Sequence, residues 1–547
     1  MNRTGPLVTA PARREVPLSP SEGERDGERG ASIPRPSSDH FRASGCLRLC
    51  RPLLREITLP SLVTCGSLAG SPEKIVQFGE GNFLRAFADW MVDIMNGRGL
   101  FNGRVVVVQP IRQGMAGLLN EQDGLYTLLL RGIQDGVTVE QHRLITAVSR
   151  ALNPYEAWPD TVRCLCSPSL RFVISNTTEA GIAFVSEARQ PGQCPESFPA
   201  KVASLLFERF QAVRGDPAKG LIFLPCELID RNGDQLRRFV LQHSEAWGLG
   251  HKFADWVSSA NYFLNTLVDR IVPGFPRDEA GEIGRKLGYE DRLLVAAELF
   301  HLWVIEGPPH LAEEIPFHRA GLNVIWTNDL APYRTRKVRI LNGAHTASVL
   351  AAFLAGLNTV REMLENPLFG QLVRRVVFEE ILPTVPLPAQ EKTSYANAVL
   401  ERFANPFVRH ELLTISLNSV SKWKVRVLPS LLDYRATQGQ LPPLLSFSLA
   451  ALLHFYRGQR ATPASLTGRR GTESYPIRDE LFVLDAFERA WAEYETHHSV
   501  HRLTAEILTN AQLWGMNLAA IDGLADTVAG ALEQIQQAGM AEVLKRM

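Results

Sequence analysis

Apolar residues fall into two textures along this chain. Between about residue 73 and residue 335, short apolar runs alternate with longer amphipathic stretches. Residues 74–78 read as a buried strand, Gly79-Glu80-Gly81 turns the chain, and 82–95 place Phe83, Phe87, Trp90, Met91 and Ile94 on one side at helical spacing. Val105 to Val108 form a second run, apolar on both faces, of the kind that parallel sheets bury. Further strands are predicted at 126–130, 172–175, 222–225 and 324–326, with helices at 199–213 and 233–247 among those between them. Strand alternating with helix predicts a mostly parallel α/β sheet.

From about residue 336 the pattern becomes helical. Helices are predicted at 337–356, 360–365, 369–382, 395–403, 442–456, 478–497, 503–510 and 521–545, with hardly a strand among them. The expected organisation is an α/β domain over 71–335 and a mostly α-helical domain over 336–547. Residues 1–70 differ from both. Up to residue 55 the chain uses Arg but no Lys and is rich in Pro, Ser and Gly, so it is expected to be disordered or loosely attached. Its acidic cluster at Glu22, Glu24, Asp26 and Glu28 argues against an organelle transit peptide.

Composition narrows the partners. The 547 residues carry 58 basic and 58 acidic side chains, with 45% hydrophobic and 21% charged residues, which suits a globular chain with no electrostatic footprint for nucleic acid or anionic membrane. The longest apolar-rich run, 348–357, falls well short of the roughly 20 residues that span a bilayer. Seven cysteines include no CxxC pair and no Cys/His array, so a reducing, cytoplasmic setting and no metal site are expected. A small-molecule ligand remains, with the chain a monomer or small homo-oligomer.

Three segments carry candidate chemistry. In Phe78-Gly79-Glu80-Gly81-Asn82-Phe83, a strand, a GxG and a helix start put free N–H groups where a pyrophosphate could sit. Leu84 stands where a third glycine would complete GxGxxG, and a tight strand-to-helix turn accounts for the same residues. The acid that reads a ribose hydroxyl is expected after the second strand, yet Gln109-Pro110-Ile111-Arg112 stands there, which leaves NAD and NADP both open. The second segment is Lys337-Val338-Arg339-Ile340-Leu341-Asn342-Gly343-Ala344-His345. On a regular helix Asn342 lies about 140° and His345 about 80° from Lys337, so the three share one face of a helix that is otherwise apolar. Such a polar cluster without a nearby acid is expensive to bury unless a ligand or a reaction uses it; a polar helix face with a snorkelling Lys is the plainer reading. In the third, residues 261–273, Asn265 could donate to a carbonyl oxygen, and Asp269-Arg270 reads as a structural ion pair. The strand-end loops at 175–181, with Thr178 and Glu179, and at 225–227 could touch a cofactor, and each reads equally as an ordinary turn.

The strings QFGEGNFLR (77–85), NTTEAG (176–181), LVDRI (267–271) and KVRILNGAH (337–345) together resemble the mannitol dehydrogenase family of long-chain polyol and uronate dehydrogenases, from about residue 60 to the C-terminus. The first two favour one uronate branch of it; a fructuronate reductase or a mannitol-type polyol dehydrogenase is the alternative within the family, and a nucleotide-binding sensor without turnover the alternative outside it. The resemblance implies a Rossmann-type N-terminal domain, a mostly α-helical C-terminal domain and an active site between them. It implies NAD-dependent, metal-independent hydride transfer to a keto sugar acid in hexuronate catabolism. Under it Lys337 is the general acid/base, Asn342 and His345 orient the substrate oxygen, and Asn265 assists Asn342. Phe78, Gly79, Glu80, Gly81, Asn82, Phe83, Thr178 and Glu179 belong to the cofactor site. A uronate carboxylate calls for a cation, and Lys422, Lys424 and Arg426 in the helical domain are the candidates, Lys422 and Arg426 foremost, a solvated basic turn being an equal reading of the same residues.

Overall fold

The computed structural model describes residues 47–61, 63–66 and 70–547, without the side chain of Glu179. Its centre is a six-stranded sheet, all parallel, of β1 (Glu73–Phe78), β2 (Arg104–Val108), β3 (Val148–Leu152), β4 (Phe172–Ser175), β5 (Ile222–Pro225) and β6 (Tyr262–Phe263). The strand order is β3-β2-β1-β4-β5-β6, the doubly wound Rossmann order. Val105 to Val108 are fully buried because helices and neighbouring sheets cover both faces. Register aligns Phe78 with Val108 and with Ser175, and Ser175 with Pro225. The loops that begin at Gly79, Gln109, Asn176 and Cys226 therefore leave from one edge and line one crevice.

Two smaller sheets flank this core. The predicted strand at 126–130 is the start of Tyr126–Gln134, which pairs antiparallel with Val137–Ile145 in a four-stranded sheet completed by Val295–Glu298 and Val63–Cys65. The predicted strand at 324–326 belongs to a three-stranded sheet with Asn265–Asp269 and Leu302–Glu306, outside the central one. That small sheet leads into a long helix carrying Lys337. The C-terminal region packs helices around Pro443–Phe455, which is apolar nearly all round and buried accordingly. No helix among the described residues is long and apolar enough to cross a membrane.

The structure corrects two expectations. The expected tail reaches only part of the way to residue 70. Leu47–Arg48 pairs with Tyr289–Glu290, Val63–Cys65 pairs with the Val137–Ile145 strand, and Leu49, Leu53 and Val63 are buried in a small core with Leu287 and Tyr289. Apolar side chains spaced among Arg and Pro suffice to anchor this stretch; residues 1–46 lie outside the described residues. The helical region also holds a three-stranded antiparallel meander, Gly458–Thr462, Ser465–Arg470 and Glu473–Ile477. Only Leu466, Tyr475 and Ile477 point inward from it as buried apolar residues, too sparse an alternation to read as strands.

Candidate functional site

The crevice edge holds a bare backbone cradle. Gly79 has φ +125°, and a Cβ there would lie 3.0 Å from the Asn176 carbonyl oxygen, so a residue other than glycine is strained at this position. A Cβ on Gly81 would meet nothing within 4 Å, which leaves open space above the first turn of the helix that runs over 82–97. Unsatisfied N–H groups at a helix start beside open space fit an anionic pyrophosphate. The flanking side chains serve differently from one another. The Phe78 ring is buried against Phe198, so this residue offers only its carbonyl, which accepts from Asn176 N at 3.0 Å. Glu80 turns inward, and burial raises its carboxyl pKa. Asn82 is exposed and its Oδ1 accepts from Arg85 at 2.7 Å, while Phe83 stacks on Phe87.

The loop after β4 is held by a residue that the sequence placed only generally. Glu227 is buried and accepts from Ser175 Oγ (3.1 Å), Thr177 N (3.0 Å) and Thr177 Oγ1 (3.0 Å). It pins the segment leading to Thr178, whose φ of +78° is a strained, exposed conformation at the crevice. The side chain of Glu179 lies outside the described residues.

Lys337 and Asn342 begin and end a segment of wide, π-helical turns, Lys337–Asn342, in a helix continuous from Ala331 to Leu354. The N–H of Gly343 reaches back five residues to Val338 O. Wide turns stack residues five apart, so Lys337 and Asn342 lie closer to one face than the regular-helix angle gives. Lys337 Nζ donates to Val268 O at 2.9 Å and lies 3.8 Å from Asp269 Oδ1. The acid missing from the local sequence is thus supplied by the small sheet. Asn342 is half-buried, and its carboxamide has no partner among the described residues. His345 stacks on Phe403 with ring centroids 3.9 Å apart, and its Nε2 is buried without a partner. Burial, then the charges of His410, Arg426, Arg402 and Lys422, hold its pKa well below the ordinary imidazole value, so it is neutral near pH 7.

Cations face this imidazole. Gly343 admits the Ser419–Arg426 helix so closely that a Cβ there would lie 3.1 Å from Arg426 O. Lys422 donates to Ile415 O at 3.0 Å, and burial followed by repulsion from Arg426 lowers its pKa to about 8. The half-buried Arg426 guanidinium has no acidic partner among the described residues, and burial lowers its pKa. Lys424 lies on the other side, its chain against Gly515.

Two expectations change here. Asn265 is buried with its amide engaged: Oδ1 accepts from Asp234 N (3.1 Å), and Nδ2 donates to Asp234 Oδ2 (3.3 Å) and Glu306 Oε1 (3.2 Å). Glu306 in turn accepts from Leu330 N at 3.0 Å, so Asn265 braces the start of the Lys337 helix and has no donor free for a substrate oxygen. The pairing of Asp269 with Arg270 is also absent. Arg270 donates to the carbonyls of Ala86 and Glu298 and lies over Trp90, because neighbours in a strand face opposite ways. Asp269 bonds Arg402, at 2.9 and 3.0 Å, and Tyr395 Oη at 2.7 Å; Arg402 also bonds both oxygens of Glu298, at 2.8 and 2.9 Å. Arg402 and Phe403, adjacent on the Ala389–Phe403 helix, therefore buttress both the acid beside Lys337 and the ring of His345.

A dinucleotide cradle and a Lys, Asn, His face on an adjoining helix together suit carbonyl reduction. Residues 73–319 match the family profile described as the mannitol dehydrogenase Rossmann domain, and residues 329–536 match the mannitol dehydrogenase C-terminal domain. The chain belongs to the mannitol dehydrogenase family. Among its relatives is the altronate oxidoreductase of Halalkalibacterium halodurans, 44% identical over 86% of this chain and 93% of that protein. The altronate oxidoreductase of Bacillus subtilis is 44% identical over 87% of this chain and 95% of its own. The same fold is seen in two solved structures, each 21% identical over 91% of this chain: substrate-free D-sorbitol dehydrogenase (all of that chain, TM-score 0.74) and Pseudomonas fluorescens mannitol 2-dehydrogenase in ternary complex with NAD and D-mannitol (99% of that chain, TM-score 0.62).

Proposed function

We propose that this protein is an NAD-dependent tagaturonate reductase (altronate oxidoreductase), interconverting tagaturonate and altronate without a metal. The observation that carries the reading is identity of 43–44% to altronate oxidoreductases over nearly their full lengths. The cradle of Gly79, Gly81 and the helix start at Asn82 and Phe83 would hold the pyrophosphate of a dinucleotide, with the Thr178–Glu179 loop beside it, and its nicotinamide would supply or accept the hydride. As negative charge grows on the substrate oxygen, the free carboxamide of Asn342 donates to it and Lys337 gives it a proton. In the reverse direction Lys337 takes that proton back. Val268 O and Asp269 aim the ammonium. Neutral His345, rigid on Phe403, orients the same oxygen. Lys422 and Arg426 take the uronate carboxylate, because neither has an acid within ion-pair distance among the described residues, Asp479 acting on Lys422 only from further off, and both bear on His345.

The test is NADH oxidation by purified protein with tagaturonate, fructuronate and fructose in parallel, with altronate identified as product. Turnover confined to tagaturonate is expected. Preference for fructuronate or fructose would overturn the substrate assignment and leave the reaction type standing.

A further inference from the structure

In a sheet of this order an acid at the end of β2 usually reads the adenosine ribose. Here that position is Gln109, and its carboxamide is folded into its own loop. Nε2 donates to Ile111 O (2.8 Å) and Arg112 O (2.9 Å), and Oε1 accepts from Ala116 N (3.4 Å). Gln109 is buried and has no group left for a ribose. The loop it closes packs on the cradle, since a Cβ on Gly114 would collide with the Glu80 carboxylate.

Beside this loop two cations share one ring. The Arg112 guanidinium lies 4.7 Å and the Lys201 ammonium 4.9 Å from the centroid of Tyr155, whose hydroxyl donates to Pro110 O at 3.2 Å. Arg112, exposed at the end of β2, would suit a 2′-phosphate, with Lys201 fully buried behind it. Glu196 opposes that. Its carboxylate pairs with Arg112, the two side chains being 59% and 67% exposed at the mouth of the loop. Its backbone is fixed on both sides: the Glu196 carbonyl accepts from Lys201 Nζ (2.5 Å), and the N–H groups of Glu196 and Ser197 donate to Glu187 at 2.7 and 3.0 Å. Ser197 then caps the Phe198–Ala212 helix. A loop end held this way keeps its carboxylate in place.

We infer that Glu196 is the residue selecting NAD(H) over NADP(H): it occupies Arg112 and presents a carboxylate to any 2′-phosphate, doing from a neighbouring loop what no acid at the end of β2 does. The inference rests on the dinucleotide reading of the β1–β2 edge. Dissociation constants of NADH and NADPH, measured by quenching of tryptophan fluorescence, test it in the wild type, Glu196→Gln, and Glu196→Gln with Arg112→Ala. The wild type is expected to prefer NADH. Glu196→Gln should tighten NADPH by about tenfold, the scale of one charge contact in a partly solvated site, with NADH changed by less than about threefold. Arg112→Ala should then remove the gain. An unchanged NADPH to NADH ratio in Glu196→Gln, or a gain that survives Arg112→Ala, overturns the assignment. Equal binding of both dinucleotides by the wild type overturns it alone; binding of neither overturns the dinucleotide reading with it.

Discussion

Arg402→Met isolates the contact that ties the two halves of the molecule together at the site. Arg402 comes from the Ala389–Phe403 helix, while Asp269 and Glu298 come from two different sheets; all three side chains are at most 4% exposed. Methionine keeps the length and removes four hydrogen bonds and the charge. Asp269 then keeps Lys337, 3.8 Å away, while Glu298 loses its ion-pair partner. Removing one partner of a buried ion pair costs about 3–5 kcal/mol. Tyr395 Oη on Asp269 and Ile271 N on Glu298 persist, so the lower end, about 3 kcal/mol, is expected. The loss should depend on pH. Burial already raises the Glu298 pKa against the pull of Arg402, and without Arg402 it rises further. An acid whose folded pKa exceeds its unfolded value of about 4.3 loses stability as pH climbs between the two. Urea denaturation followed by tryptophan fluorescence should therefore show a larger deficit at pH 8 than at pH 5, and adding Glu298→Gln should recover part of it. A deficit below about 1 kcal/mol, or one that Glu298→Gln deepens at both pH values, would refute the reasoning.

Other consequences are as direct. Lys337→Ala should lower turnover by at least ~100-fold, the low end of a general acid contribution, with NADH affinity within about threefold of wild type. Lys422→Ala and Arg426→Ala should each raise KM for tagaturonate at least ~10-fold, the scale of a lost charged hydrogen bond, while leaving NADH binding unchanged; an unchanged KM removes them from the carboxylate site. Because the Lys422 pKa lies at about 8, its charged form is present below that pH and lost above it. KM for the uronate should therefore rise as pH passes 8, and Lys422→Met should flatten that rise. Gly79→Ala forces a Cβ to within 3.0 Å of Asn176 O at φ +125°, so NADH affinity should fall by at least ~10-fold, the lower part of the range for backbone strain.

What the sequence disclosed follows from how local each signal is. The β1–turn–helix unit was legible because apolar run, glycines and helical spacing all lie within 73–97, and Lys337, Asn342 and His345 share one helix. The packing of Asn265 left no sign in the sequence, because the groups its amide donates to, Asp234 and Glu306, lie 31 and 41 residues away. Arg402 gave no signal at all. Its carboxylate partners lie 133 and 104 residues earlier, and only the packing of a C-terminal helix on two sheets brings them together. Arg270 looked like the partner of Asp269 because adjacency in sequence is visible and strand alternation sends the two side chains to opposite faces. The meander at 458–477 escaped for a similar reason, most of its outward residues being polar and its inward ones few.

The central claim joins a substrate, a cofactor and a proton donor, and one comparison tests all three. Wild-type and Lys337→Ala protein are assayed side by side for tagaturonate-dependent NADH oxidation in EDTA at neutral pH, each with its NADH dissociation constant measured. The account predicts EDTA-insensitive turnover by the wild type and a loss of at least ~100-fold in the variant at nearly unchanged NADH affinity. Near-normal turnover by Lys337→Ala, or wild-type activity that EDTA abolishes, would contradict it.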